Sequence, residues 1–373
     1  MSKSDLMALM SLNEDNIDMR DLTDERPVAS LPIGGRYRLI DFILSNITNS
    51  GIFNVGLFAQ RKVRSLNEHL GDGAPWDLDR IKDGLYLFSN SYEINEKLAR
   101  GDIQNINENI DFISRSNQEY ILVTTPYMIY NFNFNTLFDS HINSGAEITA
   151  MYKEIDDAHL SFFGSYIYTI TNGKISSIGK NMCSKSKQNI SMDCVIMKKD
   201  AFLKMILDTV QSGEHMYLID AINAQLLKSE VNLFKFNGYV KCINDIRSYR
   251  EFSRDILKEE VSDEIFRNPN GLIYTKIKDE APTYFSDDSK VENSIISSGC
   301  LIEGTVKNSI ISRKVKIAKG AVVENSIVMQ NCIIEENAYV SNMISDKSVT
   351  ITSSRKLIGD FNMPVIIKKG GIV

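Results

Sequence analysis

The sequence predicts an α/β domain built on a mainly parallel sheet, followed by a β-helix of stacked short coils. Three observations carry this. Through the first two thirds of the chain, short apolar runs alternate with longer amphipathic stretches, the pattern of strands covered by helices on both faces. After about residue 280, apolar positions recur in steps of about six: Ile296 to Ile302; Ile311 to Ile317 to Val323; Val328 to Ile334 to Val340. An Asn-Ser-Ile triplet also occurs three times, at Asn293, Asn308 and Asn325, so the longer period is roughly three hexapeptides. Strands this short cannot be buried singly, but triangular coils stacked on one another share a continuous core. A β-sandwich of short strands is the alternative, and it has no reason to keep a six-residue step.

In chain order, Leu6 to Leu12 reads as a first buried strand, Leu39 to Ser50 as a helix and Val55 to Ala59 as a strand. Ile103 to Ser114 is helical in pattern and Tyr120 to Thr124 is strand-like. Ala146 to Tyr152 and Tyr166 to Tyr168 are β-type runs, and Asn181 to Gln188 is a polar, poorly patterned stretch expected to be a mobile loop. Ala201 to Val210 and His215 to Leu227 are helical. From about Tyr249 to Ala281 runs a connector, opening on a charged helical pattern and holding the turn signal Asn268-Pro269-Asn270-Gly271. The expected boundaries are 1–248 for the α/β domain, 249–281 for a connector of helix and strand, and 282–373 for the β-helix.

The 373 residues suffice for two cores, with 43% hydrophobic and 24% charged residues as in ordinary globular chains. A net charge of −6 argues against nucleic acid as a partner. The five cysteines are scattered without a C-x-x-C pair, and the four histidines lie far apart, so neither a disulfide framework nor a zinc site is expected. Leu6 to Leu12 is too short to span a bilayer and lacks a cleavage site after it. A cytoplasmic protein without a membrane partner is the expectation.

The segment from Leu12 to Arg26 is the chemically informative one. It follows a strand, where a nucleotide-binding protein usually places glycines so that backbone N–H groups close around phosphates. Here no glycine occurs before Gly34, and six carboxylates stand there instead: Glu14, Asp15, Asp18, Asp21, Asp24 and Glu25. Only Arg20 and Arg26 oppose them, so the loop repels a triphosphate.

The following block, Pro27-Val-Ala-Ser-Leu-Pro-Ile-Gly-Gly-Arg-Tyr-Arg-Leu-Ile-Asp-Phe-Ile-Leu-Ser-Asn46 with Asn49-Ser50-Gly51-Ile52, closely resembles the ADP-glucose pyrophosphorylase (glucose-1-phosphate adenylyltransferase) family. So do Gln60 to Gly71, Pro75-Trp76-Asp77, the connector and the Asn-Ser-Ile repeats. The resemblance covers nearly the whole chain. It implies a GT-A/Rossmann-like nucleotidyltransferase domain, a left-handed β-helix, a tetramer, and a part in making ADP-glucose for bacterial glycogen.

Position by position, the resemblance also implies a lost active site. Counted back from Gly34-Gly35, the family's glycine loop falls on Leu12 to Met19, where Asn13, Glu14 and Asn16 replace the glycines and Asp18 replaces a phosphate-facing Arg. The basic residue that would neutralise phosphate charge in the transition state falls on Val28. The two magnesium carboxylates fall on Tyr127 and Cys242. A Gly-Thr-Ala-Asp-Ala motif is reduced to Gly101-Asp102-Ile103-Gln104-Asn105, and a sugar-site Glu-Lys-Pro to Gly179-Lys180-Asn181. No catalytic or metal site is therefore expected in this chain. The pattern resembles the non-catalytic regulatory subunit that some Gram-positive bacteria pair with a catalytic paralogue, which would hold the Mg²⁺.

Other residues have two readings each. Arg36, Arg38, Arg61, Lys62 and Arg64 flank the best-matching motifs, and Arg38 falls where the family has an effector-binding Arg. They read as an anion site for a phosphorylated sugar effector, joined by Lys180, or as a subunit interface or solvated charges. Gln60, Arg61, Arg64 and Trp76 read as an allosteric or interface loop, although Trp76 also reads as a packed residue. Cys242 is a small buried filler or a reactive thiol. Three functions follow: a regulatory subunit assembling with a catalytic paralogue into a heterotetramer, an active adenylyltransferase with a metal site rearranged onto Asp245 or Asp102, or a sugar-phosphate sensor. A homo-oligomer of this chain alone remains open.

Overall fold

The computed structural model describes residues 5–12, 17–59, 63–89 and 101–373. The chain divides into two compact units, each discontinuous in sequence. Unit 1 holds residues 1–16, 42–242 and 268–274; unit 2 holds residues 17–41, 243–267 and 275–373.

Unit 1 is an α/β layer structure around a sheet of nine described strands. Leu6–Ser11, Asn54–Ala59, Gly84–Ser89 and Tyr120–Thr124 run parallel, with Leu6–Ser11 between Tyr120–Thr124 and Asn54–Ala59. Gln188–Lys198 pairs antiparallel to Tyr120–Thr124, Ile148–Ile155 and Tyr166–Thr171. The central strands are buried on both faces, so they read as unbroken apolar runs (Leu6 to Met10, Ile121 to Val123) and not as alternating ones. Lys199–Ser212 and Leu218–Leu226 cover one face, burying Phe202, Ile206, Leu218 and Ile222 against Met7, Leu9 and Ile121.

The helical stretch expected from Ile103 to Ser114 is two helices, Ile103–Glu108 and Ile110–Ser114. The break falls at Asn109, whose side-chain amide donates to the Asn105 carbonyl at 2.8 Å and so competes with the backbone ladder. The polar stretch from Asn181 is not a free loop at its start. Asn181 is buried, and its amide donates to the carbonyls of Ala158, Ser161 and Phe162 at 2.9–3.1 Å.

Unit 2 ends in the β-helix. Three parallel sheets of five strands each wind a left-handed coil. Ile302, Ile311, Ile317, Val323, Val328, Ile334 and Val340 fill its axis. The repeat is shorter than three full hexapeptides: the corner asparagines Asn293, Asn308, Asn325 and Asn342 are 15, 17 and 17 residues apart. All four hold φ of 42–52°, a left-handed corner that Asn tolerates better than other side chains. The serine after each of the first three completes the turn. Ser294, Ser309 and Ser326 donate to the carbonyl two residues back, and accept the N–H of Ser309, Ser326 and Met343 in the next coil at 3.1 Å. The triplet is thus a ladder of corners, which is why it repeats.

The rest of unit 2 packs on these coils. The connector forms two helices, Ile246–Asp255 and Glu259–Phe266, and no strand is assigned from 267 to 283. Arg250 of the first helix donates to Asn342 Oδ1 at 3.0 Å and to the Phe361 carbonyl, while Arg254 lies over the Phe361 ring. No helix among the described residues is long and apolar enough to cross a membrane.

Candidate functional site

In unit 1, pairing of Lys241–Cys242 with Met128–Ile129 sets Cys242 opposite Met128, one residue from Tyr127. The two positions expected to hold metal carboxylates are therefore neighbours, but they carry a phenol and a thiol. Cys242 is buried, with the Ser165 hydroxyl 3.7 Å from its sulfur. Magnesium requires several hard oxygen ligands, usually including carboxylates, and this pair does not fit it.

The two carboxylates that could stand in are engaged elsewhere. Asp102, buried in unit 1, accepts the Leu218 N–H at 2.6 Å and the Ser11 hydroxyl. Burial raises its pKa, outweighing the two hydrogen bonds. Asp245, in unit 2, caps the helix Ile246–Asp255: its carboxylate accepts the Ser248 N–H at 2.6 Å and the Ser248 hydroxyl accepts the Asp245 N–H. Among the described residues no three His, Cys, Asp or Glu side chains group as ligands of one ion.

The acidic segment is a fastening within unit 2. Asp18 lies exposed in a parallel bridge with Asp245, its N–H donating to Asn244 at 2.9 Å. Asp21 and Asp24 both hold Lys368, at 3.1 and 3.2 Å, and Glu25 holds Lys369. Arg26 is 4% exposed, and one of its guanidinium nitrogens reaches both oxygens of the buried carboxylate of Asp346, just after the strand Met343–Ser345 of the β-helix. Val28 is buried in a 3₁₀ turn, Val28–Ser30. Glu14, Asp15, Asn13 and Asn16 lie outside the described residues.

Arg36 and Arg38 sit on a hairpin, Pro32–Ile33 paired with Tyr37–Arg38, whose tip is Gly34-Gly35. A Cβ on Gly35 would lie 2.6 Å from Ser297 Oγ, and its φ is +81°, so only glycine lets this tip press on the coil. Arg36 donates to the Tyr37 hydroxyl at 2.7 Å, and Asp41 accepts the Arg38 N–H at 2.9 Å. Three further cations of the unit meet these two. Arg313 is depressed by burial and then by Arg36, and Lys278 by burial, Arg313 and Arg38. Lys347 is pushed down to about 7 by burial and by Arg38 and Arg26, with Asp346 opposing. Burial is the largest cause in all three, the neighbouring cations add to it, and Glu280, Asp41 and Asp346 oppose it.

Lys180 belongs to unit 1, whereas the hairpin arginines belong to unit 2. It is exposed, its Nζ 5.3 Å from the ring centroid of Tyr166. Gln60, Arg61 and Lys62 lie outside the described residues. Arg64 is exposed and pairs with Glu68 one helical turn on. Trp76 is 1% exposed and packs edge-on against His69 at 5.8 Å, so its place here is in the core. Sequence reasoning missed Lys278 of the connector, Arg313 and Lys347, which look like ordinary outward charges of a repeat, and Asp193, whose backbone is left-handed at φ 46°.

Known proteins resemble this chain along both parts. A nucleotidyl transferase family model matches residues 18–259, and a GlmU-like C-terminal hexapeptide model matches residues 281–361. The glycogen biosynthesis protein GlgD of Bacillus subtilis (strain 168) is 30% identical over 352 residues, covering 94% of this chain and 92% of that protein. GlgD of Geobacillus stearothermophilus is 32% identical over 306 residues, covering 82% and 79%. The glucose-1-phosphate adenylyltransferase of Thermosipho africanus (strain TCF52B) is 33% identical over 311 residues, covering 81% and 74%. With that sheet, that β-helix and matches of this extent, the chain belongs to the nucleotidyl transferase family, as a GlgD-type member alongside the glucose-1-phosphate adenylyltransferases.

Proposed function

We propose that this chain is a regulatory, non-catalytic subunit of glucose-1-phosphate adenylyltransferase, raising the activity of a catalytic paralogue that makes ADP-glucose from ATP and glucose 1-phosphate. The observation that carries this reading is the pairing of Cys242 with Met128, next to Tyr127, so that a phenol and a thiol stand near each other where two carboxylates are expected. Phosphoryl-type chemistry depends above all on electrostatic and metal assistance, and losing one such group typically costs about a hundredfold or more in rate. The acidic segment adds to this, since Asp21, Asp24 and Glu25 are engaged with lysines of the same unit. Magnesium would act in the partner, in a cytoplasmic heterotetramer.

The hairpin arginines support a second part of the reading. Arg36 and Arg38, with Lys278, Arg313 and Lys347, would take a phosphorylated effector, because an anion relieves the mutual repulsion of the cluster. The rearranged-metal alternative finds little support, since Asp102 and Asp245 already hold Leu218 and Ser248.

The test measures magnesium-dependent ADP-glucose formation by this chain, by the catalytic paralogue and by their mixture. The expected result is no turnover by this chain and a higher rate or affinity in the mixture. An unchanged paralogue would overturn the proposal.

A further inference from the structure

One half-buried carboxylate of unit 1 has no part in the proposed regulatory role. Asp193 lies in the strand Gln188–Lys198, at a bulge between Ser191 and Cys194 and with φ of 46°. A left-handed aspartate inside a strand is strained, and such strain persists where the surrounding structure holds it. The bulge turns its carboxylate into a chain of hydroxyls. Ser191 Oγ donates to Asp193 Oδ1 at 2.9 Å, and Tyr168 Oη lies 2.9 Å from Ser191 Oγ.

The opposite charge stands on the neighbouring strands. Lys180 is paired with Tyr166 in the antiparallel register, and Tyr168, two residues on, shares that face. Lys180, Tyr166, Tyr168, Ser191 and Asp193 thus form a continuous row. Burial pushes the Asp193 carboxyl up to about 6, while the Ser191 hydrogen bond and the charge of Lys180 pull it down. Its field is felt by Tyr130, Tyr166, Tyr168 and Cys194, and Tyr166 is bonded to Asp220 of the helix Leu218–Leu226. Lys180 supplies the positive charge of this row.

We propose that Asp193 is a built-in counter-ion: its ionised carboxylate cancels the field of Lys180 and keeps phosphate-bearing small molecules off this face, and its protonation or removal lets Lys180 take one. The inference rests on the reading of Lys180 as an anion-binding residue, and is independent of any partner's activity. It makes this face a closed version of an anion site, opened by a single proton.

Calorimetry on the purified full chain tests it, with glucose 1-phosphate at pH 7.5 as probe. Four proteins are compared: wild type, Asp193→Asn, Lys180→Met and the double variant. Binding at the Arg36 and Arg38 hairpin is common to all four and cancels. Asparagine keeps the left-handed backbone, and Asp193→Gly serves as a second variant should Asp193→Asn misfold. Affinity is expected to rise at least tenfold on losing the carboxylate, and the gain to vanish when Lys180 is also changed. With inorganic sulfate, whose charge is constant over this range, wild-type binding is expected to tighten from pH 7.5 to 5.5 by more than Asp193→Asn binding, whose smaller change reports Lys347 of the hairpin cluster. No gain in either Asp193 variant, or a gain that survives Lys180→Met, would overturn the proposal. Failure of paralogue activation with this gain intact would sink the regulatory reading alone.

Discussion

Asp193 and Lys347 are charges that the fold holds against their own preference, and each makes a signed prediction. Asp193 has a folded pKa near 6, above that of a free aspartate, so its ionised form opposes folding. That penalty is absent below about pH 4, grows as pH rises through 6 and is complete above it. Asp193→Asn should therefore stabilise the chain by about 2 kcal/mol at pH 7.5 and by almost nothing at pH 4, measured by urea unfolding. Lys347 is the opposite case, a base depressed to about 7, so its penalty grows as pH falls from the ordinary lysine range and is complete below 7. Lys347→Met should raise stability at pH 6 while weakening binding of a phosphorylated effector. The buried Arg26–Asp346 pair behaves differently again. Breaking it by Arg26→Met leaves an uncompensated carboxylate in the interior and should cost about 3–5 kcal/mol. At this scale, motif matches pointed to Val28, Tyr127 and Cys242, and the structure sets Cys242 opposite Met128, the neighbour of Tyr127. Lys278, Arg313 and Lys347 were not, because they lie more than two hundred residues from Arg38 and nothing local marks which repeat charges turn toward it. Asp193 was not either, since Ser191-Met192-Asp193-Cys194 contains no glycine to announce a left-handed bulge.

At the level of elements, periodicity was the reliable guide. Tyr120 to Thr124 is a strand at the boundaries its apolar run implies, and the six-residue steps land on the β-helix axis. Local side-chain competition accounts for the departures: Asn109 splits one expected helix in two, and corner asparagines shorten the coil to 15–17 residues. The corners are open to test. Ser326 joins two coils by donating to Glu324 and accepting from Met343, so Ser326→Ala should cost about 1–3 kcal/mol by leaving a buried N–H unpaired. The hairpin tip offers a second test. Gly35→Ala brings a Cβ against Ser297 Oγ at a φ of +81°, and should cost about 1–2 kcal/mol and weaken effector binding with it. An affinity unchanged from wild type would separate Arg36 and Arg38 from that site.

For the molecule as a whole, the two units do not follow the sequence boundaries that composition suggests. The β-helix coils share a unit with residues 17–41 and 243–267. A fragment of residues 282–373 therefore lacks Arg26, the Gly35 tip and Arg250, and should melt well below the same coils in the full chain, as circular dichroism would show. The Lys368 and Lys369 pairs are exposed and screened by solvent, so replacing either lysine by Ala should scarcely move the melting temperature.

The Arg26–Asp346 pair joins positions 320 apart in the chain, and the Glu25–Lys369 pair positions 344 apart. During synthesis the acidic segment is made more than three hundred residues before these partners. At roughly 5–20 residues per second, its lysines and Asp346 follow tens of seconds later. A chain interrupted between residues 26 and 346 holds neither Asp346 nor the two lysines, so this unit can close only after that long stretch has been made.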